Sequence, residues 1–339
     1  MQNNFKILIA VLLILLGISY FVLQNDNSSH SASGNELLIP ELQTQINAVD
    51  NIIISQNKKS ISLSKQSGVW TILEADNFLA DANKVASLLL DLRKFKLTAE
   101  KTNNPKSYAK LSLAETGENA AIRIVLKSAD KQFADISIGK KAQKGQGTYV
   151  RKNSQTQTWL AAGSLDIKLD SKDWIVSTIL DIDANKIKSV TFKPADSPAL
   201  SINKLTPADE SFLLENIPEQ MQPKADADIA SLATGLQKFS IESATLKPED
   251  AIENLVVSIT YQLFSGMIYR LDLFSYAQKH LLTISLENTG SGSEFDKQLE
   301  NWLYVIPKFK FDALNKKLAD FIENKSEQVQ QDTNVENQD

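Results

Sequence analysis

Residues 85–95, VASLLLDLRKF, return 144 positions later as IASLATGLQKF at residues 229–239. Val85, Leu88, Leu89, Leu92 and Phe95 make an apolar stripe at helical spacing, and Ile229, Leu232, Ala233, Leu236 and Phe239 repeat it. One face is therefore apolar in both copies, as a helix laid on a core requires. Ala80-Asp81 precedes the first copy and Ala225-Asp226 the second. A carboxylate there can accept backbone N–H groups of a first helical turn, which makes Asp81 the expected N-cap.

The likeness extends both ways along the chain. Trp159-Leu160 is answered by Trp302-Leu303, and Ile167-Lys168-Leu169-Asp170 by Phe309-Lys310-Phe311-Asp312. Upstream, Val49, Ile52 and Ile54 are answered by Ile187, Val190 and Phe192. Order is kept while the offset drifts slowly, the pattern of a duplication with loop changes. Two copies of about 140 residues make a tandem domain pair rather than a solenoid of many short units.

Between the helical stripes the period switches to two. Strands are expected at 51–55, 60–65, 69–73, 122–126, 133–138, 148–151 and 158–161, then at 255–263, 268–274, 281–286 and 302–306. Closing helices are expected at 172–180 and 313–323. Many strands and few helices imply an α+β fold: antiparallel sheets with helices packed on one face. The expected organisation is an anchor at 1–23, a linker at 24–45, repeat domains at 46–180 and 181–324, and a disordered tail at 325–339.

Phe5 to Leu23 reads FKILIAVLLILLGISYFVL, with Lys6 as its only charge. Nineteen helical residues span about 28 Å, close to the hydrocarbon thickness of a bilayer. No small-residue cleavage site follows closely, so an uncleaved transmembrane helix is expected. Lys6 precedes the run and Asp26 follows it, which places the amino terminus in the cytoplasm and the bulk of the chain in the periplasm of a bacterial cell. The Asn/Ser-rich stretch after the run reads as a flexible tether.

Composition narrows the chemistry. The 339 residues carry 36 Lys+Arg and 41 Asp+Glu, two His and no Cys, for a formal net charge of -5. Thiol nucleophiles, disulfides and Cys-based metal sites are excluded. A mildly acidic chain lacks the positive surface that nucleic-acid binding needs. The loop Gly139–Gly147 (GKKAQKGQG) has five residues between Gly139 and Gly145, and Gln146 where a phosphate-binding loop requires Lys. It reads as a hairpin, and no cofactor is expected. Lys140, Lys141, Lys144, Arg151 and Lys152 form a local basic group suited to anionic headgroups or an acidic partner. Asp170, Asp173, Asp181 and Asp183 lack the Gly of a calcium loop and read as caps and turn residues. No G-x-S-x-G elbow occurs. Ser55…Lys58 and Ser128…Lys131 fit Ser-x-x-Lys spacing but read as turns. The four Trp read mainly as core.

A Trp strand at Trp70, an Ala-Asp that opens a Leu-rich helix, and the run Thr102, Asn103, Pro105, Tyr108, Leu111, Leu113 together resemble the bacterial domain-of-unknown-function family 4340. The segments Ile138-Gly139-Lys140 and Thr148 to Arg151, then Trp159, resemble its hairpin. The resemblance covers about residues 45–180. It implies a membrane-anchored envelope protein, in the company of ABC-type transporter components, and it carries no catalytic residues. The expectation is a non-catalytic scaffold or accessory subunit held in the inner membrane through residues 5–23, with envelope proteins as partners. Two alternatives stand beside it: a binding module for a glycan or lipid-linked polymer, and a hydrolase using carboxylates or a Ser–Lys pair.

Overall fold

The structure, a computed structural model, describes residues 36–129, 131–142, 147–250, 252–287 and 298–325. The apolar run at 5–23, most of the linker, and nearly all of the tail lie outside them. Among the described residues no helix is long and apolar enough to cross a membrane. The fold is mostly antiparallel sheet with few helices.

In chain order, β1 (Glu36–Leu37), β2 (Asn51–Gln56), β3 (Lys59–Gln66), β4 (Val69–Ile72) and β5 (Phe78–Leu79) precede helix α1 (Ala82–Lys94). Strands β6 (Lys96–Glu100), β7 (Ile122–Ser128), β8 (Lys131–Lys141), β9 (Thr148–Lys152) and β10 (Thr158–Ala162) come after it. Then come β11 (Thr178–Leu180), β12 (Ile187–Pro194), β13 (Leu200–Asn203), β14 (Leu213–Glu215), β15 (Met221–Pro223), β16 (Phe239–Ser240) and β17 (Ser243–Leu246). The last elements are β18 (Leu255–Leu263), β19 (Ile268–Tyr276), β20 (Lys279–Glu287), β21 (Trp302–Val305), helix α2 (Lys308–Leu314) and β22 (Ile322–Asn324). The chain divides into two compact units. The first takes the described residues of 1–62 and 83–169; the second takes 63–82 and those from 170 onward. The segment 63–82, read from sequence as part of the first repeat, thus groups with the later half of the chain.

In the first unit the strand order is β1-β6-β10-β9-β8-β7-β2, all antiparallel. Alternation sorts its residues. Ile52, Ile54, Ile124, Leu126, Ile136, Ile138 and Val150 are buried, as one face of a pleated ladder demands. Helix α1 buries Val85, Leu88, Leu89 and Leu92, the stripe read from sequence.

In the second unit the order is β14-β13-β12-β18-β19-β20-β21-β17. Six of its strands, β12-β18-β19-β20-β21-β17, keep the same order and connection as β2-β7-β8-β9-β10-β6. Strands β4 and β5, with the part of β3 from Leu63 onward, form a small antiparallel meander that groups here. Phe78 meets the ring of Trp302 edge-on at 4.8 Å, and the Asp76 carboxylate accepts the Leu246 N–H at 3.2 Å.

Three expected helices differ. The second stripe is a 3-10 helix, Ala230–Leu236, instead of an α-helix. Gly235 explains much of this. The Tyr261 hydroxyl lies 2.0 Å from where its Cβ would stand, so only Gly fits, and Gly disfavours α-helix by about 1 kcal/mol relative to Ala. Residues 172–180 are not α-helical. The Asp170 carboxylate accepts the Lys172 N–H, starting one 3-10 turn at Ser171–Asp173, and the β-branched residues beyond it run into β11, which pairs with β16. Residues 313–323 break as well. Helix α2 ends at Leu314, and the Asp320 carboxylate accepts the Lys317 N–H at 2.9 Å in a tight turn before β22 pairs with β15.

Gly235→Ala should lower stability by about 1–3 kcal/mol, the usual cost of overpacking, read as an earlier urea midpoint with an unchanged slope. Tyr261→Phe in the same background removes the blocking oxygen and should recover part of that loss. An unaltered midpoint for Gly235→Ala would show that the second stripe owes nothing to this contact.

Candidate functional site

The antiparallel register of β7, β8 and β9 sets Arg123 opposite Ser137 and Ser137 opposite Arg151. All three point away from the buried Ile and Val face. Asp135 and Asn153 lie two residues along on the same face. The result is a hollow of about 400 Å³ lined by these five residues with Ala114, Glu115 and Ala121.

The segment from Thr102 to Ala121 builds its wall. Thr102 and Thr158 tie the start: the Thr158 hydroxyl donates to the Thr102 carbonyl at 2.8 Å and accepts the Thr102 N–H at 3.0 Å. Asn104 accepts the Lys106 N–H, capping a 3-10 helix at Pro105–Leu111, where Pro at the first turn loses no needed donor. Tyr108 is buried, and its hydroxyl donates to the Thr156 carbonyl at 2.5 Å. Tyr108, Leu113 and Ala121 cluster with Leu111 and Tyr149. Gly139 lets this wall come close, because a Cβ there would lie 2.3 Å from the Leu111 carbonyl oxygen. The Thr-Asn-x-Pro-x-x-Tyr run therefore pins a lid segment against the polar side of the sheet.

Inside the hollow the polar groups form a chain. The Arg123 guanidinium donates twice to Asp135, from Nε at 2.8 Å and from Nη2 at 2.6 Å. Asn153 Nδ2 donates to the same carboxylate at 2.6 Å, and the buried Ser137 hydroxyl donates to Asn153 Oδ1 at 2.8 Å. The hydrogen bonds from Arg123 hold the Asp135 carboxyl below the usual carboxylate range; partial burial opposes them, and Asn153 adds to the lowering. Arg151 stands apart. Its guanidinium lies 4.9 Å from the centre of the Tyr108 ring, and its Nη1 donates to the Gln155 carbonyl at 3.3 Å.

The basic group read from sequence is divided by the strand pleat. Arg151 and Lys152 are neighbours in β9 and so face opposite sides of the sheet. Lys152 Nζ pairs with Glu36 at 3.1 Å. Lys140 and Lys141 are exposed at the end of β8, and Lys144 lies outside the described residues. Of the four that are described, only Arg151 lines the hollow. Sequence reading alone does not single out Arg123, Asp135, Ser137 and Asn153. Their common parity, opposite to Ile124, Ile136 and Val150, is the signal that could have found them.

Other polar and aromatic residues take ordinary duties. Asp181 accepts the Lys238 N–H at 2.9 Å, Asp183 accepts from the Gln237 amide, and Asp228 accepts the Ser231 N–H at 3.1 Å. Lys131 Nζ is held by Gln45 Oε1 at 2.9 Å. Trp70, Trp159 and Trp174 are buried. His280 stacks on Phe311 with ring centres 4.3 Å apart.

A family model described as Domain of unknown function (DUF4340) matches residues 70–255, more than half of the chain. The match begins at Trp70 and contains every residue of the hollow. No curated protein and no solved structure matches the chain.

Because Asp135 has a lowered pKa in the folded state, its contribution is complete above the ordinary carboxylate pKa and is lost as pH falls through the folded value. Asp135→Asn should therefore cost about 1.5–3 kcal/mol at pH 7, the range for hydrogen bonds to a charged group. The gap between wild type and variant should narrow below about pH 4. Urea unfolding at pH 7 and pH 3 measures it; an equal gap at both would remove ionisation from the account.

Proposed function

The chain belongs to the DUF4340 family, and from that footing we propose that it is a single-pass membrane protein of the bacterial envelope that works by contact, as a non-catalytic scaffold or accessory subunit of an envelope complex such as an ABC-type transporter. The observation that carries this reading is the apolar run Phe5 to Leu23, one charge at its leading edge, succeeded by an Asn/Ser-rich stretch and then two sheet units. An apolar segment of that length matches a bilayer, and the charges around it favour export of the residues on its carboxyl side. The chain so read is held in the inner membrane with its sheet units in the periplasm.

The shared order of six strands, together with the repeated sequence stripes, supports descent of the two sheets from one duplicated unit. A duplicated sheet offers two related surfaces to partners from one tether. Of the groups weighed from sequence, Asp170 and Asp181 accept backbone N–H groups, Lys131 is held by Gln45, and Trp70, Trp159 and Trp174 are buried, duties that suit a protein working by contact.

An alkaline phosphatase fused after Asp339 should be active, since that enzyme matures only outside the cytoplasm. A fluorescent reporter that matures only inside should stay dark. Removing residues 5–23 should move the chain out of the membrane fraction. Cross-linking before detergent extraction should co-purify other envelope proteins. Cytoplasmic reporter activity would overturn the orientation, and recovery of the chain alone after cross-linking would overturn the accessory role.

A further inference from the structure

We infer that the hollow on β7, β8 and β9 binds a small hydroxylated carboxylate, of the uronic acid class, through the guanidinium of Arg151. The inference goes beyond the accessory role proposed above and holds for either orientation of the chain in a membrane.

Arg151 is the group in the hollow whose bonding is incomplete. A guanidinium carries five N–H donors. Among the described residues its one hydrogen bond is the 3.3 Å contact from Nη1 to the Gln155 carbonyl, and its Nε is buried without a partner. A buried donor left unpaired is unfavourable, so an oxygen ligand on the Nε edge would relieve a cost already present. The nearby carboxylate does not serve. Asp135 accepts both forks of Arg123 and the Asn153 amide, and no ion pair between Arg151 and a carboxylate is found among the described residues.

The guanidinium is also held still. It lies over the ring of Tyr108, which is itself buried and fixed through its hydroxyl to the Thr156 carbonyl. A cation stacked on an aromatic face keeps its plane, and a fixed plane loses little freedom on binding. A planar, forked donor of this kind matches a carboxylate bidentately.

Charge decides between anions. Arg123 and Asp135 cancel one another, and Glu115 lies on the lining. The remaining field is that of one cation with an acid near it. A singly charged carboxylate suits this better than a doubly charged phosphate, which Glu115 would repel more strongly. The Glu115 carboxylate and the Ser137 hydroxyl, both on the lining, supply oxygen acceptors. Those acceptors require hydroxyl donors next to the ligand's carboxylate. The volume of about 400 Å³ falls within the range of small-ligand pockets.

Titration calorimetry on the full chain in detergent tests the assignment, with glucuronate, glucose and inorganic phosphate as probes. Glucuronate should bind saturably, glucose should not, and phosphate should bind at least tenfold more weakly. Arg151→Gln should weaken glucuronate at least tenfold. Arg151→Lys keeps the charge but loses the fork, and should weaken it severalfold while leaving the thermal midpoint close to wild type; it decides the matter if the Gln variant does not fold. No saturable glucuronate binding, phosphate binding as tight as glucuronate, or a folded Arg151 variant that binds like wild type would overturn the inference.

Discussion

The register of three neighbouring strands, β7, β8 and β9, is the constraint on which the first unit depends. Antiparallel pairing brings Arg123, Ser137 and Arg151 into one row and Ile124, Ile136, Ile138 and Val150 to the other face. A slip by a single residue would exchange the two sets. Burying guanidinium groups while exposing that Ile/Val set is prohibitively unfavourable, so the hydrophobic face fixes the position of the polar one. The site is thus a by-product of core formation: the same alternation that makes a stable sheet lines up its arginines.

The wall over this face obeys a different logic. The run from Thr102 to Leu113 has little hydrophobic periodicity and contributes few large core residues. It is held by side chains bonding to backbone: Thr158 to Thr102, Asn104 to Lys106, Tyr108 to Thr156. Such bonds satisfy a loop that would otherwise leave buried backbone groups unpaired. Tyr108 has two tasks, as a core ring and as the platform for Arg151.

Much of the fold was legible in the chain because the strands are half-buried, and half-burial writes a period of two. Strand β18 lies at the residues its alternation marks, the other ten expected strands differ by one to three residues at their ends, and the shorter strands, such as β1, β5 and β14 to β16, carry too few residues to write a period. Two of the three misread helices share a cause. At 172–180 and 313–323 apolar residues occur at spacings open to either a helix or a strand, and pairing with β16 and with β15 decided the matter. Those partners lie far off in sequence, beyond any local window. The stripe at 229–239 failed because of Gly235, whose lack of a side chain answers to Tyr261. The hollow was harder to see. Five of its six polar residues span positions 123 to 153 on or just beyond three strands, and charge density along the chain points to Lys140 and Lys152 instead. Proximity in sequence groups Arg151 with Lys152, while the pleat sends them to opposite sides.

The missing side chain at Gly139 carries a consequence for how such a chain can diverge. With the Leu111 carbonyl pressed against its α-carbon, position 139 admits one amino acid alone, and the spacing between that strand and the segment above it is set by atomic radii. Charges on the rim can drift, and loops nearby can lengthen. This one joint behaves as a hinge pin without play: descendants that keep the chamber must keep its smallest residue, and a lineage in which that residue has grown will have lost the chamber or rebuilt its roof.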